Sequence, residues 1–170
     1  MIHPPEQQSL NIREKQAVNV KQIADNAEKQ RIARYILEAL PAWFGIPESV
    51  EEYILDSVDK PFFCAYEGRD PIGFLYLKQT GKDTVELAVM GVLERYHRNG
   101  VGKALFAQAK TAACQAGYSF MQVKTVQMGK YEIYDRTNLF YISLGFKEFE
   151  VLPALWGKEN PCQIYVMALR

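Results

Sequence analysis

Imidazoles are scarce in this sequence, with His3 and His97 the whole supply. Its three thiols, Cys64, Cys114 and Cys162, are odd in number and show no CxxC spacing. No Cys/His cluster can therefore be assembled, and neither a structural nor a catalytic metal is expected. Reduced thiols, the first two within an apolar strand and a helix, are expected instead of a disulfide framework. An excess of either charge is also lacking: 20 Lys and Arg balance 20 Asp and Glu. That removes the electrostatic footprint of a partner such as duplex nucleic acid or an anionic membrane. No apolar run is long enough to span a bilayer, and the opening MIHPPEQQSL has no apolar signal region, so a cytoplasmic protein is expected. Internal repeats and low-complexity tracts are missing as well.

What is present suits one domain. At 170 residues and 48% apolar composition the chain can fill one sizeable core. Residues 1–9 read as a flexible end. A strand is expected over Val18 to Ile23, then a helix from Asn26 that carries Ile32, Ala33, Ile36 and Leu40 and is stopped by Pro41. Pro47 opens a second helix, with Glu48, Glu51 and Glu52 near the N-terminus where acids suit the dipole. Phe62 to Tyr66 and Ile72 to Leu77 read as strands joined through Glu67-Gly68-Arg69-Asp70. After a further strand and helix come a strand at Phe120 to Val126, a helix at Tyr131 to Leu144, and strands at Lys147 to Leu152 and Gln163 to Leu169. This order predicts a single α/β domain with helices on both faces of one sheet.

The stretch from Val85 to Phe106 organises the rest. Val85, Leu87 and Val89 alternate with Glu86 and Ala88, which predicts one apolar strand face, with a kink at Gly91. A polar loop runs from Glu94 to Gly100. Beyond it Val101, Ala104, Leu105, Ala109, Ala112 and Ala116 recur at helical spacing, and Gly117 stands at the C-terminal cap. Gly100 and Gly102 thus open a helix whose first amides have no carbonyl partner, an arrangement that binds phosphate. Arg95, Arg98 and Lys103 crowd the same turn. Two familiar phosphate motifs fail here. A dinucleotide fingerprint needs glycine where Leu105 stands, and a Walker A loop needs glycine at His97 and Ser or Thr at Ala104.

What remains is a strand ending in Val92, then Tyr96, His97, Arg98, Asn99, Gly100, Val101 and Gly102, then an amphipathic helix. This resembles the acyl-CoA loop of the GNAT superfamily of N-acetyltransferases. His97 departs from the Arg or Gln of that pattern, although Arg98 lies beside it. A second segment, Asn138 to Phe146, NLFYISLGF, resembles the family's other signature, a helix with an asparagine and a tyrosine that ends at Gly-Phe. Asn138 and Tyr141 share a helix face, while Phe140 and Leu144 point to the core and Gly145 terminates the helix. The resemblance covers roughly Pro61 to Arg170.

The resemblance implies a GNAT-type fold: a mixed, mostly antiparallel sheet whose central strands, here those ending at Val92 and near Val126, splay so that acyl-CoA enters the gap. Residues 61–170 would form the acyl-CoA-binding core and residues 26–58 the substrate-side helices. The implied reaction is transfer of an acetyl group from acetyl-CoA to the primary amine of a small molecule. Val92, His97, Arg98, Asn99, Gly100, Val101, Gly102, Lys103 and Asn138 would hold the cofactor, with Asn138 gripping either the pantetheine arm or neighbouring backbone. Tyr141, protonated at neutral pH with a phenol pKa of about 10, would be the general acid, and Glu86, the acid within the central strand, the base. Trp43, Phe44, Tyr53, Tyr131, Tyr134 and Trp156 are candidates for the acceptor pocket, and equally for core caps or a homodimer contact. Glu51, Glu52 and Asp135 could attract a cationic amine. A protein N-terminus or lysine as acceptor, a non-catalytic acyl-CoA sensor and an unrelated nucleotide-binding domain stay open.

Overall fold

A computed structural model describes residues 17–169; the expected flexible end, residues 1–9, lies outside them. Asp25 caps α1 (Asn26–Glu38) by accepting the Glu28 amide at 2.7 Å, which satisfies one of the helix's free donors. The helix stops two residues before the position preceding Pro41, since a residue ahead of proline is pushed out of the helical region. Its inner stripe of Ile32, Ala33, Ile36 and Leu37 is fully buried. Pro47 sits in the first turn of α2 (Pro47–Asp56), as expected.

The strands are β1 (Asn19–Ile23), β2 (Phe62–Glu67), β3 (Asp70–Gln79), β4 (Thr84–Val92), β5 (Phe120–Val126), β6 (Lys147–Leu152) and β7 (Cys162–Ala168). They form one seven-stranded sheet in the order β1-β2-β3-β4-β5-β7-β6, antiparallel except for β4 and β5. That parallel pair is joined by the crossover helix α3 (Val101–Gln115), and α4 (Glu132–Ser143) links β5 to β6. Among the described residues no helix is long and apolar enough to cross a membrane.

Strand side chains alternate between two cores. Phe62, Phe74 and Tyr76 stack on one another and pack with α1 and α2, while Phe63, Leu75 and Leu77 face the opposite core with α3 and Tyr141 of α4. The expected single apolar face of β4 is not what forms. Val85 and Leu87 belong to the α3 core but Val89 to the α1 core, because Tyr76 pairs with Val89 and Leu77 with Leu87, leaving Ala88 as an extra residue. A β-bulge at Ala88, three residues before the expected kink, turns the strand over. Gly91 has another purpose. A Cβ there would lie 2.9 Å from Ile36 Cγ2 and 3.2 Å from Leu40 Cδ1, so its bare backbone lets α1 seat against the sheet.

The expected splay is present. Parallel pairing joins only Thr84, Val85 and Glu86 to Phe120, Met121 and Gln122. Beyond these, β4 continues to Val92 and β5 to Val126 with no ladder between them.

Gly91→Ala should destabilise the protein by about 1–3 kcal/mol through overpacking, read as a lower urea midpoint at constant slope. Adding Ile36→Leu, which removes the Cγ2 branch at about constant volume, should recover part of the loss; a Gly91→Ala variant as stable as the parent would remove the close-approach account.

Candidate active site

The loop leaving β4 is pinned at several points. The Leu93 amide donates to the Ile72 carbonyl at 3.0 Å, which directs the neighbouring Val92 backbone groups away from β3 and into the gap. A 3-10 turn at Glu94–Tyr96 follows; the Tyr96 hydroxyl donates to the Glu67 carboxylate, and the Arg95 guanidinium lies 4.9 Å from the Tyr96 ring centroid. His97 then folds back, its Nε2 at 2.7 Å from the Val92 carbonyl and its ring edge-on to Trp43 at 5.4 Å. A carbonyl only accepts, so Nε2 carries the proton. His97, a cofactor candidate by its place in the loop pattern, is thus engaged with the strand end.

Arg98 (φ 60°) and Gly100 (φ 79°) both take left-handed conformations, which swing the chain into α3. The first intrahelical bond runs from the Ala104 amide to the Gly100 carbonyl at 3.0 Å. The amides of Val101, Gly102 and Lys103 therefore have no intrahelical acceptor and form the positive end of the helix dipole. Arg98, Asn99 and Lys103 are exposed around them. The two glycines act differently, which the sequence did not separate. Gly100 supplies the positive φ and has open space where a Cβ would be, whereas a Cβ on Gly102 would come within 3.0 Å of both Met90 Cε and Phe140 Cζ. Gly102 thus admits α4 and β4 against the helix start, and an anion meets the amides beside it.

Asn138 is fully buried and completely engaged. Its Nδ2 donates to the Val126 carbonyl at 2.9 Å and the Tyr134 carbonyl at 2.7 Å, and its Oδ1 accepts the Tyr165 hydroxyl at 2.7 Å. Of the two roles left to it, holding backbone is the one seen; with no accessible surface it does not face the cleft, a correction to its place among cofactor-contacting residues. Tyr141, three residues on, packs against Phe140 and Phe146. No hydrogen bond from the Tyr141 hydroxyl occurs among the described residues, and the residue keeps 7% exposure. Burial, with the nearby charge of Glu86, pushes its phenol well above the usual range.

Glu86 lies on the other face of the sheet. Its carboxylate is 12% exposed and accepts from Lys124 Nζ at 2.9 Å, across the line where β4 and β5 part. Lys124 is the residue the sequence reading missed. A signal existed: in FMQVKTV, Gln122 and Lys124 alternate with the buried Met121 and Val123, so a lysine in a central strand faces the same side as the acid of β4. Cys162, which begins β7 opposite Val126, has its thiol pushed up to about 11 by burial.

The aromatic candidates gather on Glu86's face. Tyr76, beside it, donates its hydroxyl to the Tyr53 carbonyl at 3.1 Å; Tyr53 meets Phe44 edge-on, and the Tyr134 hydroxyl donates to the Trp43 carbonyl at 3.1 Å. Tyr131 stacks edge-on to Tyr134. Trp156 is at the same end of the sheet, since Leu152, Cys162 and Val126 are in register, but it is 44% exposed and apart from these contacts. Of these three acids, Glu51 is held by Arg34 at 2.9 Å and Asp135 accepts the Gly129 amide at 2.7 Å; Glu52 is exposed and makes no such bond among the described residues.

Gly102→Ala should lose stability that Phe140→Leu partly restores, whereas Gly100→Ala, costing about 1 kcal/mol for its left-handed φ, should be indifferent to Phe140→Leu. A double-mutant cycle by chemical denaturation measures both; equal coupling of the two glycines to Phe140 would contradict the division of roles.

No curated protein matches the chain in sequence. Solved structures do match in fold. One is a protein from Desulfovibrio desulfuricans assigned to the GNAT family, at 21% identity and TM-score 0.75 over 91% of this chain and 100% of that one. Another is an aminoglycoside 6'-N-acetyltransferase complexed with coenzyme A, at 16% identity and TM-score 0.71 over 89% and 97%. A third is the ribosomal-protein-S18-alanine N-acetyltransferase of Escherichia coli, at 16% identity and TM-score 0.70 over 90% and 94%. The family model described as an acetyltransferase (GNAT) domain matches residues 58–148, more than half of the chain and the stretch that holds Glu86, the glycine loop and Tyr141. With the splayed pair and the open helix start already in view, that match identifies the chain as a member of the GNAT acetyltransferase family.

Proposed function

We propose that the protein transfers the acetyl group of acetyl-CoA to the primary amine of a small molecule by direct attack on the thioester. The observation that carries this reading is the placement of Glu86 and Tyr141 on opposite faces of the sheet, on either side of the gap where β4 and β5 part. A cofactor with its pyrophosphate on the Val101, Gly102 and Lys103 amides and its pantetheine against the Val92 edge would bring its thioester to that gap. Arg98 and Lys103 add positive charge near the phosphates, and the neighbour solved with coenzyme A shares the fold.

The residues divide the proton work. Glu86, ionised, takes a proton from the acceptor ammonium directly or through water, and the neutral amine attacks the carbonyl carbon. An open backbone amide at the Val92 edge polarises the thioester oxygen as it gains charge. Tyr141 gives its hydroxyl proton to the leaving thiolate. A phenol held above its ordinary value is a suitable donor, because it stays protonated throughout the neutral range. The half-buried aromatic groups Trp43, Phe44, Tyr53 and Tyr134 line the acceptor side, and their mutual contacts suit a small acceptor.

The first test is calorimetric titration with acetyl-CoA, with ATP and NAD as comparisons, on the parent and on Gly100→Glu. Acetyl-CoA binding lost in the variant supports the loop assignment; absence of binding to the parent removes the reading. With an amine acceptor, Tyr141→Phe should lower kcat by roughly 10²–10⁴-fold while still binding acetyl-CoA. Because the Tyr141 phenol is raised and its protonated form is the active one, loss of kcat through this residue should begin only above pH of about 10. An alkaline limb near pH 8 that disappears in Tyr141→Phe would assign this residue an ordinary or lowered value and contradict its role.

A further inference from the structure

Beyond the choice of reaction, the cleft carries information about the acceptor's charge. Glu86 and Lys124 form an ion pair at 2.9 Å with exposures of only 12% and 26%, and they come from the two strands that part to make the gap. Several other charges on this side are already matched. Lys78, paired in register with Glu86, donates to Asp56 at 3.1 Å, and Lys60 also approaches Asp56 at 3.5 Å. Of the three acids that could have drawn in a polycation, Glu51 and Asp135 are bound by Arg34 and the Gly129 amide, while Glu52 stays exposed on α2.

We propose that the acceptor is a free α-amino acid with an apolar or aromatic side chain, its ammonium on Glu86, its carboxylate on Lys124 and its side chain among Trp43, Phe44, Tyr53 and Tyr134. This rests on the acetyl-transfer reading above and narrows it. The physical reason is charge conservation in a poorly solvated place. A zwitterion opens the Glu86–Lys124 pair and replaces it with two pairs, so the sum of charge in the cleft is zero before and after. A simple amine that takes Glu86 leaves Lys124 half-buried and unmatched, and a lone carboxylate does the reverse; an uncompensated charge in such a site is costly. Lys124 has donors to spare, since one Nζ–H reaches Glu86 Oε2 and an ammonium carries three. The aromatic wall is reached from Glu86 through Tyr76 and Tyr53, so an acceptor amine at Glu86 has its side chain on the apolar side.

The balance of the reaction is simple. The N–C bond of the amide forms and the thioester C–S bond breaks; the acceptor ammonium gives up two protons, of which one ends on the CoA sulfur and one in solvent. The products are the N-acetyl amino acid, now a monoanion, and CoA thiol. Loss of the ammonium ends its attraction to Glu86, which lets the Glu86–Lys124 pair close again and favours product release.

The test measures CoA thiol release by the full-length protein with acetyl-CoA and three matched acceptors: L-phenylalanine, L-phenylalaninamide and phenethylamine, with leucine and methionine as further zwitterions. KM for the free acids should be lower than for the amide by roughly 10–100-fold. Lys124→Met should collapse that ratio towards one, while Lys124→Arg retains it, and circular dichroism and thermal unfolding establish that both variants are folded. A parent enzyme that prefers phenethylamine or the amide, or a Lys124→Met change that raises KM equally for acid and amide, overturns the proposal. If no acceptor is turned over, calorimetry of the amino acids into the protein saturated with desulfo-CoA reads the same site without chemistry: binding of the zwitterion lost in Lys124→Met supports the proposal, and no binding overturns it. Failure of acetyl-CoA itself to bind is a separate result, which removes the acetyl-transfer reading instead.

Discussion

The constraint on which the rest depends is that two adjacent central strands stop hydrogen bonding halfway along. Backbone groups in a sheet interior are satisfied almost without exception, so strands as close as β4 and β5 would be expected to zip to their ends. Three features oppose this. The bulge at Ala88 turns β4 just past the last paired residue, Glu86. The carbonyl that ends β4, on Val92, is taken by His97, and the carbonyl that ends β5, on Val126, is taken by Asn138. Two side chains thus occupy acceptors that a continued ladder would have used. The open edge between them is what a pantetheine amide chain could complete, in the manner of a strand added to a sheet.

Holding that gap also explains why the polar groups are divided between faces. Asn138 is tied to Tyr165 of β7 and to the backbone of its own helix, so α4 is fixed in height against β5. The same helix presents Tyr141 from the α3 core, whereas the bulge leaves Glu86 on the face of α1 and α2. The Glu86 carboxylate and the Tyr141 phenol therefore approach the gap from opposite sides. They meet only through the interruption in the sheet, where Glu86 is close enough to influence the Tyr141 phenol.

Much of this was legible in the sequence because periodicity and punctuation agreed. Pro47, Gly100 and Gly145 mark element ends where they were expected, and the strand boundaries differ by a residue or two. The bulge was not legible. Both faces of β4 are buried, so Val85, Leu87 and Val89 look like one alternating stripe even though the chain turns over between them. The splay came from resemblance, since hydrophobic spacing carries no record of whether neighbouring strands pair. Asn138 was singled out, but the direction of its amide depends on Val126 and Tyr165, which are distant in sequence. Lys124 was passed over because a lysine in a strand reads as a solvated residue until its partner on the next strand is known.

The contact between His97 and Trp43 has a spectroscopic side. The chain has two tryptophans, and they occupy opposite environments: Trp156 is 44% exposed on the turn after β6, while Trp43 is half-buried with an imidazole edge-on to its indole at 5.4 Å. Tryptophan emission from the protein is accordingly the sum of a solvent-facing fluorophore and one seated at the junction of the glycine loop, α4 and the aromatic wall. The second fluorophore is tethered, through His97, to the strand end where the cofactor arm would lie. The molecule carries within its own fold an optical gauge of the cleft, one that needs no attached dye and whose background comes from a single, separable residue.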